Sequence, residues 1–224
     1  SPKFGNSEVI VCYDGINARQ RRGLISSAYK GNRAILTDSA TYDAESYVIH
    51  DLREDFQKWS INPMHPRHGW TGLYDDYKEA DDLIAEKVLE AFEDPDIENI
   101  VIFTGDSDIH QIYAWDLPAG KTLRISNVQN IIKPTDIETN NKIKMSQFVD
   151  WKSLTGDTTD NIVSIPGLGP VKAAKLINKY GSLDEIPVEQ FVRYRVQDAD
   201  EVAAFLSDYR DENELSAYRV EKDY

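Results

Sequence analysis

The sequence has few of the features that mark a secreted or membrane-spanning protein. Cys12 is the only cysteine among 224 residues, so no internal disulfide can form. No apolar run approaches the roughly 18 residues that a membrane-spanning helix needs, and no charged-then-apolar leader follows Ser1. With 41% hydrophobic residues the chain can still bury a sizeable core. We therefore expect a globular protein of a reducing, cytosolic compartment, without a membrane partner.

The formal net charge is −14, which as an average disfavours a nucleic-acid partner. The charge is unevenly distributed, however. Residues 1–33 carry six basic against two acidic residues, residues 34–119 carry five against twenty, and residues 120–181 carry nine against five. Two basic stretches thus flank a strongly acidic one. This distribution suits a protein that grips a polyanion at its edges and concentrates divalent cations between them, although solvated acidic faces also produce it.

Two short apolar runs, residues 8–13 and 99–104, predict buried strands, and each is followed within two residues by an aspartate. Helical spacing of apolar residues predicts helices over residues 43–59 and 80–92, with a breaker-rich loop after the first. Strands that alternate with helices predict an α/β fold with a central, mainly parallel sheet. Ligands usually bind at the carboxyl edge of such a sheet, where these aspartates gather.

The second half of the chain changes in character. Short strands are predicted over residues 121–125 and 128–132, and a mostly helical region begins at about residue 145. Residues 165–170 predict a tight turn before a helix over residues 171–180 that ends at Gly181. This is the pattern of a helix-hairpin-helix.

The hairpin is suited to contact a phosphate backbone. Gly167 and Gly169 allow close approach of the main chain, and amides at the start of the following helix face an anion. Lys172 and Lys175 add positive charge nearby. These four residues are therefore candidates for duplex DNA binding.

Eight acidic residues lie at predicted ends of strands, helices and turns. They are Asp14, Glu79, Asp81, Asp82, Asp106, Asp108, Asp157 and Asp160. So many carboxylates cannot share a small site unless hard cations neutralise them, and all-oxygen ligation favours Mg²⁺ or Mn²⁺ over zinc. Two such ions about 4 Å apart would activate water and stabilise the leaving oxygen in phosphodiester hydrolysis. Taken alone, the acids at residues 79–82 also suit a helix amino terminus, and those at residues 157–160 also suit a turn.

Four motifs in order resemble the structure-specific 5′-nuclease family, which includes flap endonucleases, the 5′-nuclease domains of bacterial DNA polymerase I and bacteriophage 5′→3′ exonucleases. They are Tyr-Lys-Gly-Asn-Arg at residues 29–33 downstream of Asp14, and residues 79–85, 104–108 and 156–162 before the hairpin. Each motif is weak alone, but the ordered set spans residues 9–182. The sequence of residues 29–33 is most similar to that of the phage branch.

The resemblance implies a PIN-like nuclease core over residues 1–140, with a helical arch at about residues 17–42 and a helical duplex-binding region over residues 141–224. It implies that Glu79, Asp81 and Asp106 bind one metal ion, with Asp14 nearby. Asp108, Asp157 and Asp160 would bind a second ion, and Asp82 would lie in the outer coordination shell that the two ions share. Lys30 and Arg33 match a basic pair that contacts the scissile phosphate. Arg19, Arg21 and Arg22 of the arch segment are predicted to contact DNA. Ser164, with backbone carbonyls around Ile165 and Leu168, matches a potassium site in the hairpin.

The partner implied is duplex DNA with a 5′ flap, a nick or a free 5′ end, with an RNA–DNA hybrid as a further substrate. A monomer in the cytoplasm of a bacterial cell or a phage-infected host is expected. One departure is that the family's first strand, which supplies another metal-binding aspartate, has no counterpart upstream of Glu8; we expect that those residues precede Ser1 in the encoded protein. Two alternatives remain, a DNA-binding module with an inactive acidic cluster and a helix-hairpin-helix DNA repair glycosylase, although a glycosylase does not require eight carboxylates.

Overall fold

The structure is a computed structural model that describes residues 8–24, 30, 52, 54–59, 70–160, 162, 164–165 and 167–191. The strands are β1 (Val9–Tyr13), β2 (Trp70–Tyr74), β3 (Asn99–Phe103), β4 (Thr122–Ser126) and β5 (Ile131–Ile132). The α-helices are α1 (Ala18–Gly23), α2 (Ala80–Glu93), α3 (Pro134–Asn141), α4 (Phe148–Thr155) and α5 (Pro170–Tyr180). Short 3-10 helices cover Asp108–Ala114, Met145–Gln147 and Val188–Gln190.

The strands pair mainly in parallel. β1 pairs with β2 so that Val9 lies opposite Trp70, and β3 pairs in parallel with β4 while β5 adds to β4 in antiparallel orientation. Helix α2 packs against β1, β2 and β3, and it therefore spans both sheets. This arrangement confirms the predicted α/β class with mainly parallel pairing, and it brings the carboxyl ends of β1 and β3 to the amino-terminal end of α2.

Two strands differ from the sequence-based expectation. Residues 70–74, for which the sequence predicted no strand, form β2, because pairing with β1 outweighs a weak local preference that Gly72 lowers further. The strand predicted over residues 128–132 is reduced to its last two residues. The cause is a turn in which the Asn127 side chain accepts hydrogen bonds from the backbone N–H groups of Gln129 and Asn130.

Buried apolar side chains form two clusters. The first lies between α2 and the β3–β4 sheet and includes Ile102, Ile112 and Ile125. The second lies among α3, α4 and α5, around Leu154 and Ile177. The predicted boundary at residue 140 falls within α3, which contributes to the second cluster, and the division into two domains remains a prediction.

Most of the predicted arch lies outside the described residues. Helix α1 covers its beginning, and residue 30 is described within its later part. The described portion of residues 43–59 is helical, as predicted. Across the parts of the chain that the structure describes, no helix is long and apolar enough to cross a bilayer.

Candidate metal and nucleic-acid site

The carboxyl end of β1 is fastened to the start of α2. Asp14 follows β1, and its Oδ1 accepts a hydrogen bond from the backbone N–H of Ala80 at 2.9 Å. Gly15 must be glycine, because a Cβ there would lie 2.0 Å from the backbone oxygen of Asp75. The Gly15 N–H donates to the carbonyl of Lys78 at 2.8 Å. These contacts place the Asp14 carboxylate beside the acidic first turn of α2.

Glu79 and Asp82 are buried at the start of α2, with 6% and 4% exposure. Together they form a capping box, in which the Glu79 N–H donates to Asp82 Oδ2 at 3.0 Å. The Arg22 guanidinium, also buried, lies 3.1 Å from Glu79 Oε2 and 3.2 Å from Asp82 Oδ1. Buried charges of this kind require pairing. Arg22 thus neutralises two buried acids, and its guanidinium does not face solvent as the DNA-binding prediction requires. Arg19 and Arg21, by contrast, are exposed.

Asp81 lies where negative charge is most crowded. Burial raises its pKa to about 8, and the carboxylates of Asp106, Asp108 and Glu79 add to this effect, while Arg22 opposes it. Asp106 follows β3, is exposed, and accepts a hydrogen bond from the Asp108 N–H at 2.9 Å. Without a cation nearby, the Asp81 carboxyl therefore holds a proton at neutral pH. A divalent cation would relieve this crowding.

Asp108 and Asp157 share a basic partner from α4. Lys152 Nζ lies 3.1 Å from Asp108 Oδ1 and 2.6 Å from Asp157 Oδ2. Burial raises the pKa of Asp108, and Lys152 opposes that shift. Although burial also acts on Asp157, the hydrogen bond and charge of Lys152 hold its pKa below the ordinary value. The charge of Lys152 therefore joins the end of the β3 segment to the loop that follows α4.

The loop after α4 is shaped by Gly156, whose φ of 66° and ψ of −178° belong to a region that is essentially glycine-only. Asp157 exchanges two backbone hydrogen bonds with Ile162, at 2.9 and 2.7 Å. Its Oδ1 accepts a hydrogen bond from the Thr159 N–H at 2.7 Å. One oxygen of Asp157 thus fixes the loop, and the other points to Lys152.

Lys30 connects the arch segment with both groups of acids. Its Nζ lies 2.9 Å from Glu79 Oε1 and 3.8 Å from Asp160 Oδ1. Its backbone N–H donates to the Asp160 carbonyl at 2.8 Å, and its carbonyl accepts a hydrogen bond from Arg19 at 3.0 Å. The backbone of Lys30 is left-handed, with φ of 50°. Arg33, the other predicted basic residue, lies outside the described residues.

The predicted hairpin turn is present. The Leu168 N–H donates to the Ile165 carbonyl at 2.9 Å, and both side chains are buried. Gly167 has a positive φ of 82°, and its carbonyl accepts a hydrogen bond from Lys172 Nζ at 2.7 Å. Ser164 is half-buried beside this turn. The potassium ion assigned to Ser164, Ile165 and Leu168 remains a prediction.

The start of α5 is open to solvent. Gly169 is the N-cap residue, and a Cβ built there meets no atom within 4 Å. Lys172 and Lys175 are exposed on the same helix. Within the described residues, the main chain at this N-cap is therefore sterically accessible.

Acids from four chain segments meet at this edge of the fold: after β1, at the start of α2, after β3, and at residues 157–160. Among the described residues, no three acidic or histidine side chains surround one point as ligands of a single ion. Basic side chains contact the acids instead, namely Arg22, Lys30 and Lys152. The donor set still fits a hard divalent cation, because it consists of carboxylate oxygens. Asp108 Oδ1 is moreover buried and accepts no hydrogen bond.

Sequence reasoning missed two residues of this site. Lys152 is the first. In the sequence it is a lysine of a predicted helical region, five positions before Asp157, and no pattern distinguishes it from a solvent-exposed lysine. His110 is the second; it packs edge-on against Phe148 at 6.1 Å between ring centroids. Burial lowers the pKa of His110, while Asp106 opposes that shift. Only the folded chain places these residues beside the acids.

Comparisons with known proteins find similar sequences and a similar fold. Residues 143–218 match the family described as 5′-3′ exonuclease, C-terminal SAM fold. DNA polymerase I of Deinococcus radiodurans is 33% identical over 118 residues, which cover 53% of this chain and 12% of that protein. The 5′-3′ exonuclease of Mycoplasmopsis pulmonis is 28% identical over 156 residues, which cover 65% of this chain and 50% of that protein. The chain thus spans half or less of the length of these relatives.

A solved structure of T5 5′-exonuclease, with divalent metal ions (zinc) bound, has the same fold. Its TM-score is 0.71 at 18% sequence identity, and the match covers 96% of this chain and 76% of that one. The likeness confirms the predicted PIN-like α/β fold of the core, and the family match gives the helical region that follows it a SAM fold. The family match over residues 143–218, the curated relatives and the fold together support the resemblance of this chain to the 5′-nuclease family.

Proposed function

We propose that this chain is a divalent-metal-dependent nuclease that hydrolyses DNA phosphodiesters near a 5′ end or at a junction of single and double strands. The observation that carries the proposal is the meeting of acids from four chain segments with the basic side chains of Lys30 and Lys152. Relatives named as a 5′-3′ exonuclease and as DNA polymerase I support it. We assign the core to residues 1–140 and duplex binding to residues 141–224.

The proposed cofactors are two Mg²⁺ or Mn²⁺ ions, since hard oxygen donors make up the site. When bound, such ions activate water and stabilise the leaving oxygen of a phosphodiester. Asp81 and Asp106 would hold one ion with Asp14 close by, and Asp108 and Asp157 would hold the other. Asp160 would supply a further oxygen, and Glu79 would supply Oε1 in exchange for its ion pair with Lys30. Asp82 would support the site indirectly, because its oxygens already serve the capping box and Arg22.

Lys30 is the proposed contact to the scissile phosphate. Its ammonium group stands at the acids, 2.9 Å from Glu79 Oε1, on a backbone that is hydrogen-bonded to Asp160. A preorganised cation at this place would offset the negative charge that develops on the phosphate during hydrolysis. Arg33 would assist from the same segment, as the family motif implies.

The hairpin is the proposed binding site for duplex DNA. The start of α5 has an exposed, bare glycine as its N-cap, and Lys172 and Lys175 are exposed on the same helix. A phosphate held there would set the distance between the duplex and the acids. The proposal has four further parts: a potassium ion between Ser164 and the carbonyls of the turn, an RNA–DNA hybrid as a substrate, a monomeric state and a cytoplasmic location.

The test is cleavage of a 5′-labelled flap duplex in Mg²⁺ by the wild type, Asp106→Asn and Asp116→Asn. Asp106→Asn keeps the Oδ1 acceptor for the Asp108 N–H but removes one negative charge, so we expect a rate loss on the order of 10² or more with duplex affinity retained. Asp116 is an exposed acid that is not one of the eight candidate ligands, and Asp116→Asn should cleave like the wild type.

Other outcomes would identify the alternatives. A wild type that retards the duplex without shortening it would be a DNA-binding module with an inactive acidic cluster. Release of a base with an intact strand would indicate a glycosylase. Equal rates for the wild type and Asp106→Asn would contradict the assignment of the acids to catalysis.

A further inference from the structure

Lys152 stands where its positive charge serves two acids of the proposed second ion site. Its Nζ lies within 3.1 Å of Asp108 Oδ1 and within 2.6 Å of Asp157 Oδ2, and Ser107 Oγ is 3.4 Å away. The side chain is only 13% exposed. Its stem lines a small cleft together with Phe148 and other residues of α4 and the 108–114 turn. The ammonium group is therefore held in place rather than solvated at the surface.

The other half of the acidic cluster is different. Within the described residues, neither Asp81 nor Asp106 has a basic group within 4.0 Å. The cations of Arg22 and Lys30 contact Glu79 instead. One pair of acids is thus open to an incoming cation, and the other pair already has one from the protein.

We infer that Lys152 is a built-in counter-ion that occupies the place of the second divalent cation, so that this ion binds only after Lys152 Nζ has moved away from Asp108 and Asp157. The inference rests on the two-ion site proposed above. Lys152 is in this view a positioning residue, which acts through two carboxylates. Its consequence is ordered binding: the first ion enters at Asp81 and Asp106 without displacing a basic side chain from either carboxylate, and the second, which must displace Lys152, binds more weakly.

The local geometry supports displacement rather than a permanent ion pair. Lys152 Nζ lies 3.1 Å from Asp108 Oδ1, and this buried oxygen is not the acceptor of a well-formed hydrogen bond. That buried oxygen therefore keeps capacity for a better-placed cation. A lysine has a flexible four-carbon stem with a compact charge, so it can leave by a change of rotamer without moving the helix.

The test is calorimetric titration of the DNA-free protein with Mn²⁺. We expect two binding events in the wild type. In Lys152→Met the weaker event should become about tenfold tighter, a change of about 1.4 kcal/mol, while the tighter event changes less than twofold. Lys152→Arg restores the charge and should return the weaker affinity toward that of the wild type. Lys121→Met is the matched control, since Lys121 is also half-buried but, among the described residues, its ammonium group donates to the carbonyls of Asp94 and Ile97 and to no acid.

Thermal melting provides a second measurement. Without metal, Lys152→Met leaves Asp108 and Asp157 without their cation and should melt below the wild type, whereas Mn²⁺ should raise its melting temperature by more than that of the wild type. If Lys152→Met does not fold, Lys152→Gln takes its place in both measurements. A purely structural lysine would lower the melting temperature but leave the gain from Mn²⁺ unchanged.

Two results would overturn the inference in distinguishable ways. If two ions bind and the weaker affinity is unchanged or lower in Lys152→Met, Lys152 does not compete with the ion and the two-ion site stands. If the wild type binds a single ion, the two-ion site itself is wrong, and the role of Lys152 falls with it.

Discussion

Replacing Asp81 with asparagine should stabilise the metal-free protein, and the gain should depend on pH. The folded-state pKa of Asp81 is raised to about 8, first by burial and then by Asp106, whereas an unfolded aspartate titrates near 3.9. Between these values the folded state holds a proton that the unfolded state has lost. The free energy of unfolding therefore falls as pH rises from about 4 to about 8.

The magnitude follows from the same difference. One pKa unit corresponds to about 1.4 kcal/mol, so a difference of about four units has an upper limit near 6 kcal/mol. Coupling to Asp106 and local relaxation reduce this limit. We expect Asp81→Asn to exceed the wild type by roughly 2–5 kcal/mol at pH 8 and to equal it near pH 4, where Asp81 is neutral in both states. Burial also raises the pKa values of Asp82 and Asp108, but both residues are present in the wild type and in Asp81→Asn. The difference in the free energy of unfolding between these two proteins therefore reports on Asp81.

The assay is urea unfolding in EDTA at several pH values between 4 and 8.5, with Asp116→Asn as the control. Saturating Mn²⁺ should reverse the order, because the wild type gains the binding energy of an ion that Asp81→Asn holds poorly. A difference between Asp81→Asn and the wild type that stays constant across this pH range would refute the reasoning. It would mean that Asp81 ionises as it does in water and that the acids are not crowded.

Two glycines give opposite expectations. Gly156→Ala forces an alanine into φ of 66° and ψ of −178°, and it should lower the free energy of unfolding by about 1–3 kcal/mol, measured by urea titration; a wild-type value would show that the loop relaxes freely. Gly169→Ala adds a Cβ that meets no atom within 4 Å and should change stability by less than about 0.5 kcal/mol, yet it should weaken duplex retardation at constant salt. Unchanged duplex affinity in Gly169→Ala would remove the hairpin from the DNA-binding surface.

The sequence by itself determined those elements whose signals are local. The apolar runs before Asp14 and Asp106 are β1 and β3, and the helical periodicity after Glu79 is α2, with bounds that agree within one or two residues. The turn at residues 165–170 and the helix end at Gly181 were also predictable, because glycine and proline restrict the backbone whatever surrounds them. The position of the acids at the ends of these elements followed from the same patterns.

Only the tertiary structure decided which charges meet. β2 exists because it pairs with a strand some sixty positions earlier, and Arg22 is buried because Glu79 and Asp82 come to it from a distant helix. Lys152 likewise contacts Asp108 across more than forty residues of chain. No periodicity or spacing carries such information, since it depends on how sheets and helices pack. The sequence therefore indicated a cluster of acids, and the fold determined which of them the protein neutralises with its own cations.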